Sequence, residues 1–481
     1  MSGPVRSALV AGGGVVGWSA AAALRRKLPQ IEVTVLACAP SEGALAELVP
    51  STLPSISGFH EDIGLTEADT VARVGSALRL GTSFEGWTGE GSAYVHAYGP
   101  YGEPLGATSF HHLWLREAAE DSPPPFDAFS PAAALGQAGR FAADGAEPLA
   151  AVQYGLELNL PRYRDLLRAY ALHLGARERP GEIAGVRLGA EDGAIEAVAL
   201  ADGGAVAADL FVDATGPAAR LRGAMDEAFE DWARWLPCNR VTLGDAASPP
   251  EPPLLGRAIA AEAGWRWQAA SQARTTVGHC YASAHAGEQE DAAIPIRQGR
   301  RPAPWLGNCV AIGDAAVCAE PLEWTNLHLA HSAIDRIVAM MPDRSFAPVE
   351  LAEYNRQCGA EADRVRDFLA LHYLSSNRPE PFWREAAAAE PPPSLAHTLS
   401  LYRERGRLPF HEEETFTRDS WLAVLIGQGA RPRRLDPLLS GVPREAAAEA
   451  MARLRARLAA VVPALPTHAA YLQRLRSRPA Q

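Results

Sequence analysis

The 481-residue sequence has few cysteines, and none at the sequence spacing of metal ligands. Its six (Cys38, Cys238, Cys280, Cys309, Cys318 and Cys358) are scattered without CxxC or other ligand spacing. That predicts reduced thiols filling core space in a cytoplasmic protein, and no metal site. Clustered basic charge is lacking too: the net charge is −12 and the pI near 5.6, which argues against nucleic acid or an anionic membrane surface as partner. No run approaches the roughly 20 apolar residues of a membrane span. The opening "MSGPVRSALVAGGG" lacks the apolar stretch and cleavage site of a secretory signal. No G-x-S-x-G elbow, Walker loop or zinc-type cysteine spacing occurs, so hydrolase, triphosphatase and structural-zinc classes fall away. What remains is an ordinary globular balance, 47% hydrophobic and 21% charged, long enough for one large or two coupled domains.

Residues 7–40 read as strand, glycine turn, helix and the alternating strand "IEVTVL", a βαβ opening. Gly12, Gly14 and Gly17 make G-x-G-x-x-G directly after the first strand. There the first glycine allows a tight turn, the second lets backbone amides approach a pyrophosphate, and the third allows close helix packing. The acidic residue that usually ends the second strand and holds the ribose is absent, since Ala37 and Cys38 stand there. Downstream, "NCVAIGDAA" reads as a strand ending in Gly313-Asp314, and "LFVDATGP" supplies a third strand end with Asp213. Separated elements of this kind favour FAD over NAD. Proline clusters near 121–126, 248–253 and 390–394 predict loops. From about residue 346 the spacing turns helical, as in "PVELAEYNRQCGAEADRVRDFLALHYL" and "PREAAAEAMARLRARLAAVV". The expected division is an FAD-binding module with an inserted substrate-facing sheet over 1–345, then a helical region over 346–481.

Several stretches together resemble the flavin-dependent tryptophan-halogenase family: "AGGGVVGW", "STLPSI" with "IGLTEAD", "LRLGTSFEGW", "GWRWQAA", "WLGNCVAIGDAAVCAEPLEWTNLHLAHSAI", "EYNR", "RDFLALHYL", "PFWRE" and "SWLAVLIGQGARP". The resemblance spans nearly the whole chain. It implies an α/β (α+β) fold, p-hydroxybenzoate-hydroxylase-like, with a helical C-terminal substrate region. It also implies reduced FAD delivered by a separate reductase, a flavin hydroperoxide, and hypohalous acid passing down a tunnel to a lysine and glutamate beside an indole-like substrate. Such proteins are often homodimers, for which the residues here give no argument of their own.

Against the family pattern, Arg79 stands where the lysine belongs, and the glutamate is retained as Glu323. FAD falls to Gly12, Gly14, Gly17, Gly313 and Asp314; the halide to Thr325 and Asn326; the aromatic substrate to Trp265, Trp267 and Trp324. A guanidinium keeps its proton and is a poor nucleophile, so Arg79 can donate hydrogen bonds but not carry halogen as an amine does. Leu78, Leu80, Phe84 and Trp87 predict that Arg79 is buried, with Glu323 as its ionic partner. Glu323 reads equally as a cap on the following helix, and Trp265 and Trp267 equally as plain core. His328 and His331, at i and i+3, read as packing rather than metal ligands. Asn326, where the family has glycine, tolerates positive φ less freely. Pro50 replaces a glutamate, Trp324 adds bulk where the tunnel would open, and the W-x-W-x-I-P motif survives only as its tryptophans. These departures leave open oxygenation without halogen transfer, or a non-catalytic paralogue that binds a partner.

Overall fold

A computed structural model describes residues 3–120, 122–143, 145, 147–287 and 292–477. The first strand, Ser7–Ala11, lies at the middle of a sheet ordered Trp305–Leu306, Cys309–Ala311, Leu210–Asp213, Ser7–Ala11, Glu32–Leu36 and Arg177–Arg179. All neighbouring pairs run parallel except the outermost Trp305–Leu306. Strands two to five of that order are largely apolar runs, as expected where helices cover a parallel sheet on both faces, whereas the edge strand Arg177–Arg179 is charged and partly exposed. The chain leaves the central strand toward opposite sides, so a crevice opens at the carboxyl ends of the strands, beside the glycine turn and Gly313-Asp314.

The turn has the geometry its glycines predict. Gly12 takes φ 131°, and a Cβ on Gly17 would come within 2.0 Å of the Gly12 carbonyl oxygen. The helix Val15–Lys27 therefore packs against the strand end at a distance only glycine permits. Its first ten residues are buried.

A second sheet of seven strands, Ile294–Pro295, Arg240–Ala246, Thr275–Tyr281, Gly264–Ala270, Leu255–Ala261, Gly81–Glu85 and Ala93–Ala97, stands beside the first. Alternation along Gly264–Ala270 sends Trp265 and Trp267 to one face, both buried. Gly278, opposite Trp267, leaves room for its ring: a Cβ there would lie 2.0 Å from an indole carbon.

From Pro348 onward the described residues are helical apart from their connections. The helices Pro348–Leu374 and Arg444–Val461 fall on the two amphipathic patterns of the sequence. The third proline cluster is only partly loop, because Pro393 starts the helix Pro393–Arg405; the fixed φ of proline suits a first helical turn. Helix Arg418–Gly427 packs on strand Ala93–Ala97, and one apolar cluster runs from Val5 to Leu475. Among the described residues no helix is long and apolar enough to cross a membrane.

Candidate active site

Arg79 ends the short strand Ala77–Arg79, which pairs with Gly155–Glu157 and sets Arg79 opposite Gly155. The expected burial is found, since Arg79 is 0% exposed, but the expected partner is not. Its Nη1 donates to Glu157 Oε1 at 3.1 Å and its Nε to the Tyr98 hydroxyl at 3.0 Å, while Nη2 donates to Thr82 Oγ1. The ion pair is with Glu157, not Glu323. The physical reason is strand pairing: Glu157 is two residues along from Arg79's cross-strand neighbour, on the same face, while Glu323 is taken up by His96 and His372. Gly256 supplies the space, as a Cβ there would sit 2.5 Å from Nη1.

Glu323 is built differently. It and Trp324 both adopt left-handed backbone, at φ 60° and 64°, while Asn326 begins the helix Asn326–Ala339 in ordinary helical geometry. The positive φ thus falls on two side-chain-bearing residues and not on Asn326. Each such residue costs of order 1–3 kcal/mol, a strain that packing must hold in place. No cap bond runs from Glu323 to the helix. Instead its Oε1 accepts from His96 Nδ1 at 2.7 Å and His372 Nε2 at 3.1 Å. Burial works to raise the pKa of this carboxyl, but the two histidines outweigh it and hold Glu323 at about 2. Its second oxygen, Oε2, is buried with no partner among the described residues, as are Thr325 Oγ1 and His96 Nε2.

Trp324, the residue after Glu323, packs against Arg79. Its Nε1 donates to Thr82 Oγ1 at 3.1 Å, and the Arg79 guanidinium lies 4.7 Å from its ring centre. Trp267 meets Trp324 edge-on at 6.4 Å and lies 5.2 Å from Trp265, so the three tryptophans expected at the substrate position pack against one another in the core, each no more than 2% exposed. A cavity of about 130 Å³ is bordered by Tyr98, Gly99, Phe416 and Ser55 and by none of the three. Sequence reading missed Glu157, His96, His372 and Tyr98. Only "YVHAYG", an apolar strand interrupted by histidine, carried a hint. His328 meets Ser55 Oγ at 2.8 Å and Glu361 at 3.2 Å.

At the crevice, a cavity of about 750 Å³ is lined by Gly13, Gly14, Trp18, Ala37, Arg164 and Arg168 among others, within the range of small-molecule sites. Asp314 is buried; its Oδ2 accepts from Ala46 N at 2.8 Å and its Oδ1 has no partner. Burial first, then the nearby Glu47 carboxylate, raise Asp314 to about 7. Strand end, glycine turn and the two arginines fit a dinucleotide once the Glu47 carboxylate leaves the amides of Val15 and Val16.

The family profile for tryptophan halogenases matches residues 7–444. The chain belongs to that family. BrvH, a flavin-dependent halogenase from Brevundimonas sp. BAL3, superposes with a TM-score of 0.92 at 34% identity over 98% of this chain and 99% of its own. A flavin-dependent halogenase from Xanthomonas campestris gives 0.92 at 32%, over 99% and 100%. Tryptophan 7-halogenase RebH of Lentzea aerocolonigenes is 28% identical over 99% of this chain and all of its own. Within this family of flavin-dependent enzymes the halogenase's lysine has not moved elsewhere in the chain: Lys27 is the only lysine in the sequence, and it lies at the surface, paired with Asp62.

Proposed function

We propose that the protein is an FAD-dependent halogenase acting on an electron-rich aromatic of indole type, with reduced flavin delivered by a separate reductase. The observation that carries this reading is Glu323, a sealed carboxylate kept ionised by His96 and His372, with one oxygen left unbonded. The glycine turn, Gly313 and Asp314 would hold the cofactor, which when reduced supplies, with dioxygen, the two-electron oxidation of halide. The chain's own residues do the rest. A fixed anion beside the ring favours the cationic transition state of electrophilic substitution, because preorganised charge in a water-poor site needs no reorganisation. The ring proton then has His96, with its free Nε2, as a nearby acceptor. Thr325 is fully buried with an unpartnered hydroxyl at the start of a 14-residue helix, which supports it, with Asn326, as the halide position. Arg79 remains a cation that orients Tyr98 and Thr82 and does not carry halogen.

The test supplies FAD, a flavin reductase, NADH, oxygen and bromide, with indole as acceptor. Brominated indole is expected, with at least a hundredfold loss in Glu323→Gln and a gain in Arg79→Lys. Flavin binding without brominated product from any of these proteins would sink the halogenase reading and favour the non-catalytic one.

A further inference from the structure

The anion position of the glycine turn is filled by the chain itself. The segment Leu45–Glu47 folds as a short helical turn at the mouth of the crevice, and Ala46 N is the donor that meets Asp314. One residue on, the Glu47 carboxylate straddles the start of the helix Val15–Lys27: Oε2 accepts from Val15 N and Oε1 from Val16 N at 3.0 Å. A Cβ on Gly14 would fall 2.3 Å from the Glu47 carboxyl carbon. The carboxylate therefore sits against the one glycine whose missing side chain lets a pyrophosphate approach, and it uses the amides that would bind one.

Three further observations favour a ligand position over a simple helix cap. Glu47 borders the 750 Å³ cavity, which Arg164 and Arg168 also line. Asp314, more than nine-tenths buried, keeps one oxygen without a partner close by. Glu47 is itself only partly covered, so its side chain can turn into the cavity without unpacking Leu45 and Ala46, which are buried.

Resting on the flavin reading of this crevice, we propose that Glu47 is an internal substitute for the cofactor's pyrophosphate, which FAD must displace on binding. The site then exchanges its flavin readily instead of retaining it, which suits a cofactor that arrives already reduced from another protein. Displacement removes two charge-assisted hydrogen bonds to the helix start, and its cost is subtracted from FAD affinity.

The experiment titrates wild type, Glu47→Gln and Glu47→Ala with FAD, ADP and adenosine, following flavin fluorescence or heat. Glu47→Ala should bind FAD and ADP at least tenfold tighter than wild type, Glu47→Gln should lie between, and adenosine, lacking phosphate, should bind all three alike. In a separate arm, inorganic pyrophosphate should raise the melting temperature of Glu47→Ala and leave wild type unmoved. Unchanged or weaker FAD and ADP binding in both variants, with no pyrophosphate effect, overturns the proposal. A pyrophosphate effect without FAD binding by any of the proteins upholds the role of Glu47 and overturns the flavin reading instead. Glu47→Gln preserves the shape of the side chain, so the comparison survives even where the alanine variant folds poorly.

Discussion

Arg79 brings a full positive charge to a point with no solvent contact, and it is tolerated there because Glu157, Tyr98 and Thr82 take up its donors. Removing one partner of such a pair strands the other. Arg79→Ala is expected to cost about 3–5 kcal/mol of folding stability, whereas replacing both residues, as in Arg79→Met with Glu157→Leu, should cost much less. Denaturant melts of the two single variants and the double variant decide this; a double-variant loss equal to the sum of the single losses would mean that the pair is not coupled. For Glu323 the sign follows from a pKa held at about 2, below its ordinary value. The ionised, histidine-bonded form stabilises the fold at neutral pH, and that contribution is lost as pH falls from about 4.5 through 2. The stability gap between wild type and Glu323→Gln should therefore narrow over that window. A gap constant from pH 7 to pH 3 would contradict the histidine clamp.

At the scale of elements, the glycine turn was legible because its physics is local: three glycines, a strand before and a helix after. Gly17→Ala should disrupt it, since the new methyl would lie 2.0 Å from the Gly12 carbonyl oxygen. Loss of folded protein, or a melting temperature lower by several degrees, is the expected outcome. The helix Pro348–Leu374 was legible for the same reason, as its period is written in one stretch. The partner of Arg79 was not. It depends on the pairing of Ala77–Arg79 with Gly155–Glu157, two three-residue strands far apart in the chain, and "GLE" carries too little pattern to announce a strand. His372 was hidden inside a long helix as one polar residue among apolar ones, and Glu47 inside a loop with no motif at all. The left-handed pair Glu323-Trp324 also lay beyond reach, because neither residue type favours that backbone.

For the whole molecule, the family resemblance carried the fold where periodicity could not, since the order of motifs reflects the long-range topology of both sheets. The helices after residue 346 contribute to the same apolar cluster as the first strand, and His372 on one of them grips Glu323. A chain cut at residue 345 should accordingly fail to fold into a soluble, cooperative unit. Expression of 1–345 with a sharp thermal transition would show that the two parts are more independent than their shared core suggests.

The presence of a single lysine reaches beyond catalysis. An ammonium-directed acylating reagent can modify only one side chain in the molecule, at the outer end of the first helix. Turnover that persists after such treatment would establish, without any mutagenesis, that halogen reaches the ring without a lysine N-halamine as relay.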